Sequence, residues 1–369
     1  MTESVYIHIP FCKSKCKYCS FVSTVDESLV SSYLDALSSE ISCRYNSEPA
    51  RTLYLGGGTP SLLSIKNIER IIKPFNISKN CEITFEINPD DADIEYLKGL
   101  KSIGINRLSF GVQTFNDEIL TEIGRRHNSA SALKAIENAN TVGFDNISID
   151  LIYGLPQQNE KILKNDLDII KNLDLKHVST YGLKIESPSF YYFAPPQNLP
   201  DDDFQADMYL MINEKLKSAG FDRYEISNFS KKNYESKHNL NYWSNSEYYG
   251  FGAAAHGYQN EVRYSNSENI EEYIKSPLKH FSENILSEKE KLEEEIFLGF
   301  RREKGINIED INEKYNINFV SEYGKILQKF IPDYILPTDC GFKLTLKGVL
   351  LSNIILADFI DLPFNKKSL

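Results

Sequence analysis

Short runs of β-branched and aromatic residues alternate with longer stretches of helical periodicity through the first two-thirds of the chain. The runs Val5–Ile9, Thr52–Leu55, Glu82–Ile87, Arg107–Gly111, Asn146–Ile152 and His177–Leu183 are predicted strands. Between and after them lie predicted helices. Asp26–Tyr45 places Leu29, Tyr33, Leu37 and Ile41 on one face, and Ile65–Pro74, Ile94–Ile103, Asp117–Gly124, Ala130–Val142, Lys161–Asn172 and Phe204–Ala219 follow. Strand–helix units in series predict a parallel sheet with crossover helices, an α/β fold of partial (β/α)6, TIM-like form. A doubly wound open sheet also satisfies the alternation. The barrel is preferred because the unusual polar residues fall at the C-terminal ends of the strands, where barrel chemistry sits.

The pattern changes after about residue 225. Tyr224–His280 is rich in Tyr, Asn and Ser with weak periodicity, and contains HNLNYWSNSEYYGFGAAAHGY from His238 to Tyr258. Helical patterning returns with Glu290–Arg302, where Leu292, Ile296, Phe297 and Phe300 share a side, followed by Ile308–Tyr315 and Ser321–Phe330. Phe342–Leu344 reads as a strand or wing, and Leu346–Phe359 as a last helix. The expected division is a core barrel over 1–225, a connecting region over 226–286, and a helical, winged-helix-like domain over 287–369.

Composition narrows the function classes. Lys and Arg total 41 against 52 Asp and Glu, a net charge of −11. That balance argues against non-specific nucleic-acid binding, which needs phosphate neutralisation, so the winged-helix-like part is expected to pack or to meet a partner. No stretch approaches the length of a membrane span, and no basic start with an apolar run marks a signal peptide. The scattered Cys43, Cys81 and Cys340 read as small residues in or near a core. The expected location is the cytoplasm, and a homodimer is left open.

Three further cysteines stand apart. Cys12, Cys16 and Cys19 follow the first strand with C-x3-C-x2-C spacing. Their odd number argues against a disulfide framework, and no second Cys pair is present to close a structural zinc site. A tight thiolate triad suits three corners of a 4Fe–4S cluster, leaving one iron open. Downstream, Gly56-Gly57-Gly58-Thr59-Pro60 lets backbone N–H groups approach a ligand. Glu86 ends a strand and could receive an ammonium group. Asp150 sits among apolar neighbours and needs a partner, for which a ribose hydroxyl or an arginine would serve. Arg125 suits a carboxylate clamp, or is a solvated surface arginine.

The cysteine motif with Tyr18 before its last cysteine, followed by GGGTP, resembles the radical S-adenosylmethionine superfamily. VYIHIPFC, CKYCSF, YLGGGTPS, FEINP, RLSFGVQTF, GRRH and SIDLIYGLP in that order are similar to the branch holding oxygen-independent coproporphyrinogen III oxidases (HemN) and the related HemW haem chaperones. The resemblance covers residues 4–190 densely and the rest more loosely. It implies a cluster on Cys12, Cys16 and Cys19, and S-adenosylmethionine contacts from Tyr6, Tyr18, Gly57, Gly58, Thr59, Glu86, Gln113, Arg125 and Asp150. It singles out no catalytic residue.

Three features separate the two groups within that branch. Phe21 stands where the oxidases carry a fourth cysteine. Only eleven residues precede Cys12, where the oxidases have a long extension. His238-Asn239-Leu240-Asn241-Tyr242-Trp243 fits the HNxxYW motif associated with haem binding in the chaperones. The resemblance therefore implies a protein that binds haem and passes it to an acceptor protein, with oxidative decarboxylation of coproporphyrinogen III as the alternative. Imidazole is an ordinary axial ligand of haem iron, so His238 and His256 are candidate ligands, with Tyr242 and the chain's only tryptophan, Trp243, as ring covers. The competing reading is that His238 hydrogen-bonds within a loop packed on the barrel.

Overall fold

The computed structural model describes residues 3–360. Residues 361–369, the tail of the expected C-terminal domain, lie outside the described residues. Strand β1 (Ser4–Ile9), α1 (Val30–Arg44), β2 (Ala50–Gly57), α2 (Ile65–Ile72), β3 (Ile77–Ile87), α3 (Ile94–Ser102), β4 (Arg107–Gln113), the pair α4 (Asp117–Glu122) and α5 (Ser129–Val142), β5 (Asn146–Tyr153), α6 (Glu160–Lys171) and β6 (His177–Gly182) succeed one another. The six strands pair parallel in sequential order, so each helix crosses over to the next strand, as the alternation predicts.

Period-two patterning sets the two sides of this sheet. Leu53, Leu55, Ile83, Phe85, Leu108, Phe110, Ile147 and Ile149 are buried in one continuous core with helix residues such as Leu34, Leu97, Ala135 and Leu167. The alternate positions are polar: Tyr6 and His8 on β1, Thr52 and Tyr54 on β2, Glu82, Thr84 and Glu86 on β3, Arg107 and Ser109 on β4, Ser148 and Asp150 on β5. The concave side of the sheet is therefore lined by hydrogen-bonding groups. Helix starts follow their caps: the Asn128 side chain accepts from Ser131 N at α5, and Ser64, Asp93 and Asn159 do likewise at α2, α3 and α6.

Beyond β6 come α7 (Phe190–Phe193), α8 (Asp202–Ser218), β7 (Asp222–Arg223) and β8 (Asn228–Ser230), with β8 antiparallel to β6. Next are α9 (Lys237–Trp243) and β9 (Tyr249–Phe251), and β9 pairs parallel with β1 at the opposite edge. Thus the weakly periodic stretch after residue 225 supplies two members of the nine-stranded sheet. Its strands are too short to show a period. Strands β10 (His256–Gln259), β11 (Val262–Asn266) and, after α10 (Ile270–Lys275), β12 (His280–Ile285) form a separate antiparallel sheet.

The C-terminal part runs α11 (Glu288–Arg301), β13 (Ile306–Asn307), α12 (Ile308–Tyr315), α13 (Phe319–Phe330), β14 (Ile335–Pro337), β15 (Gly341–Leu344), α14 (Leu346–Leu350) and α15 (Ser352–Ala357). Its order of helix, strand, two helices and a hairpin is winged-helix-like, around its own core of Leu292, Ile296, Phe300, Phe319 and Leu327. The expected single helix Leu346–Phe359 is instead broken at Leu351, whose backbone leaves helical geometry. The break lets Ile355, Leu356 and Phe359 enter that core. Of the scattered cysteines, only Cys81 is buried; Cys43 and Cys340 are exposed, contrary to expectation.

Candidate functional site

A cavity of about 780 Å³ opens at the C-terminal ends of the strands. The cysteine loop forms one part of its wall, and the loop is pinned to the barrel by backbone bonds. Cys12 N donates to Thr24 O at 2.9 Å, Thr24 N to Pro10 O at 2.7 Å, and Lys17 N to Ile123 O at 3.0 Å. Cys12, Cys16 and Cys19 are free thiols, all lining the cavity. Thr59 Oγ1 donates to Cys12 Sγ at 3.5 Å and Arg125 Nη1 to Cys16 Sγ at 3.6 Å. Burial pushes the Cys19 thiol up.

The glycine turn is locked to the same loop. Gly58 N donates to Ile9 O at 2.9 Å and Thr59 N to Phe11 O at 2.7 Å. Gly57 has φ +115°, and a Cβ on Gly58 would lie 2.8 Å from Phe11 O, so neither position accepts a side chain without a shift. Glu86 accepts from Tyr54 OH at 2.8 Å and from Gly57 N at 3.0 Å. Burial, reinforced by Asp150, pushes its carboxyl up to about 7. Asp150 accepts from Ser109 Oγ at 3.3 Å, and burial pushes it up too. Its partners are thus serine hydroxyls, with the Arg107 charge acting on it as well.

Arg125 is the most constrained cation of the site. Besides Cys16 it donates to Asn88 Oδ1 at 3.4 Å and to Gly111 O, while its buried Nε has no partner. Gln113 lines the cavity with φ +69°, a backbone strain confined to this site on β4. Among the described residues no three His, Cys, Asp or Glu are arranged to hold a single metal ion. The donor set fits a cluster instead, because a cube presents its irons at separate corners and three thiols lie on one loop. The orphaned Arg125 Nε, the open glycine backbone and Glu86 fit a zwitterionic amino-acid moiety beside it.

Not every expected contact is here. Tyr6 does not line the cavity; its hydroxyl is 3.0 Å from His8 Nδ1 and its ring lies near Tyr54 and His238. The HNxxYW segment is α9, at the opposite end of the strands. His238 is buried, with Nδ1 2.8 Å from Thr52 Oγ1 and Nε2 2.9 Å from Tyr242 OH. Burial, with the Arg107 charge, lowers its pKa to about 3. Glu82 accepts from Lys237 N and His238 N, each at 3.2 Å, capping α9 from inside the sheet. Trp243 ends α9, and His256 is exposed on β10. None of the four haem candidates reaches the cavity, and His238 has no ring nitrogen left for iron.

Residues 6–170 match the radical SAM superfamily, and residues 286–351 match the HemN C-terminal domain. Over 97% of both chains, 37% of residues are identical to heme chaperone HemW of Lactococcus lactis. The chain belongs to the HemW family. Heme chaperone HemW of Bacillus subtilis is also 37% identical, over 97% of this chain and 99% of its own. The family's fold extends to the coproporphyrinogen III oxidase HemN of Escherichia coli, with a TM-score of 0.86 at 22% identity, covering 97% of this chain and 90% of that one.

Sequence reasoning passed over several lining residues. Tyr54, Ser109 and Tyr181 lie on the polar alternate positions of their strands, and that alternation was the available signal. Lys184, Gln205, Arg301 and Asn353 also line the cavity. They come from loops and helices far along the chain, and no local pattern announces them.

Proposed function

We propose that this chain is a haem chaperone: it binds haem and passes it to an acceptor protein. The observation that carries the reading is end-to-end identity with curated heme chaperones HemW, at 37% over 97% of both chains. Cys12, Cys16 and Cys19 hold a 4Fe–4S cluster, and Arg125, Glu86, Gly57, Gly58 and Thr59 hold S-adenosylmethionine beside it. Held there together, the cluster and that cofactor would supply one-electron chemistry at the sulfonium. The protein's own part is to orient: Arg125 faces carboxylate and thiolate charge, and Glu86 offers an acceptor to an ammonium group.

The geometry favours the cavity over α9 as the haem-accepting region. Phe21 lines the cavity rim at 65% exposure, and α7, anchored by Tyr191 N to Lys17 O at 3.0 Å, exposes Phe190 and Phe193 beside the cysteine loop. Such apolar faces suit a porphyrin ring. A thiolate-held cluster calls for a reducing compartment, and the cytoplasm is the proposed location. The test is anaerobic titration of cluster-reconstituted protein with haem, followed by transfer to a haem-free acceptor. Saturable binding is expected. No haem binding with the cluster intact, or turnover of coproporphyrinogen III to protoporphyrinogen IX, overturns the reading.

A further inference from the structure

The C-terminal domain completes the cavity wall, with Arg301 from the end of α11 and Val349, Leu350 and Asn353 from α14 and α15. Arg301 is held on two sides. Its guanidinium carbon sits 3.6 Å from the Phe297 ring centroid, and Nη2 donates to Asn353 Oδ1 at 2.7 Å. Its Nε is buried without a partner, and among the described residues no carboxylate forms an ion pair with it. Of the cavity's other basic residues, Lys13 and Arg126 pair with Asp91 and Arg125 faces Cys16; Lys15 and Lys184 form no ion pair among the described residues, and what sets Arg301 apart from them is the ring and the amide that fix its orientation.

A solvated surface arginine loses nothing by swinging free. One stacked on an aromatic ring and oriented by an amide is held in a single orientation at the cavity wall. Its remaining outer N–H groups, on Nη1 and the second of Nη2, are then positioned for the oxygens of an anion. We propose that Arg301, positioned by Phe297 and Asn353, anchors a propionate carboxylate of the haem, so that the C-terminal domain supplies the polar end of the haem site. This rests on the haem-chaperone reading. Haem carries its carboxylates on one edge of an apolar ring, and Val349 and Leu350 give that ring an apolar wall next to the anchor. S-Adenosylmethionine carries a carboxylate as well, so the experiment must separate the two sources.

Full-length, anaerobically reconstituted protein is titrated with haem and with haem dimethyl ester, read by Soret absorbance. S-Adenosylmethionine binding is measured in parallel by equilibrium dialysis. Wild type should prefer haem over its diester by about tenfold, the worth of one charge-assisted hydrogen-bonded pair. Arg301→Met should bind both with the diester's affinity, Arg301→Lys should keep part of the preference, and Asn353→Ala should weaken it. Cofactor binding and cluster absorbance should be unchanged in all three. A preference that survives Arg301→Met overturns the anchor, as does loss of S-adenosylmethionine rather than haem. Should Arg301→Met not fold, Arg301→Lys and Asn353→Ala decide the matter by the same criterion. A wild-type protein that binds neither porphyrin overturns the haem reading itself, which separates that failure from failure of the anchor alone.

Discussion

At the N-terminal ends of the strands, His238 engages Thr52 and Tyr242 with its two ring nitrogens, and Glu82 collects Ser236 Oγ, Lys237 N and His238 N. At the C-terminal ends, Arg125 keeps a buried N–H without a partner, and three thiols line an open cavity. Both ends are built from polar residues inside an apolar shell. The floor has spent its motif's hydrogen bonds on itself, whereas the mouth holds groups that a ligand would complete. Arg107 lies between them with an unpartnered Nε, and its charge acts on both His238 and Asp150. Motif chemistry alone does not tell floor from mouth; the difference lies in which polar atoms the fold leaves unsatisfied.

The largest test of the contrast is Cys16→Ala. Removing one thiolate should abolish the cluster absorbance and S-adenosylmethionine binding outright, while the thermal transition moves little, because Cys16 lies on a loop at the cavity wall. A variant that keeps its cluster would remove the mouth's claim to it. Next is His238→Ala. Two buried hydrogen bonds and a ring's volume disappear from the floor, so denaturant unfolding should show a loss of about 2–4 kcal/mol. The cluster and haem binding should persist below the transition. Unchanged stability with lost haem spectra would instead make the floor the haem site.

Much of the mouth was legible because it is local. Cys12, Cys16 and Cys19 sit within one loop, and Glu86 and Gln113 at the ends of their strands and Asp150 within β5 have apolar neighbours that reveal the period. The floor was not, because His238 gains its meaning from Thr52 and Glu82, more than 150 positions away. A histidine beside aromatics reads alike whether it waits for iron or is already bonded, and only tertiary pairing decides. Strands β8 and β9 were invisible for a related reason. With three residues each, they are ordered by the edges they join, Phe229 against β6 and Phe251 against β1, rather than by their own pattern.

A smaller effect distinguishes Glu86 as a ligand group from Glu86 as packing. Its carboxyl is raised from its ordinary 4.5 to about 7, so the native state holds a proton that the unfolded chain releases. Its contribution to stability is therefore fully present below about 4.5 and is lost as pH rises towards 7. Binding of a cationic group runs the other way, since it needs the carboxylate. Affinity for S-adenosylmethionine should rise by roughly tenfold between pH 6 and 8 in wild type beyond any rise in Glu86→Gln, which cancels the ligand's own titration. Parallel profiles in the two proteins would leave Glu86 as a structural bond to Tyr54 and Gly57.

The smallest expected change comes from Phe21→Cys, which places a fourth thiol at the rim. Phe21 is 65% exposed, so its loss should shift stability by no more than about 0.5 kcal/mol. The three existing thiols already share one loop with the Thr59 and Arg125 contacts that hold them, so the cluster spectrum should not move. Nor should decarboxylation of coproporphyrinogen III appear, because a thiol at the rim alters none of the groups that line the cavity wall opposite to solvent. A modest fall in haem affinity is expected from the lost aromatic face. Decarboxylase activity in this single variant would show that the mouth is an oxidase site held back by one side chain, and the division between a self-satisfied floor and a ligand-accepting mouth would then have to be redrawn around catalysis.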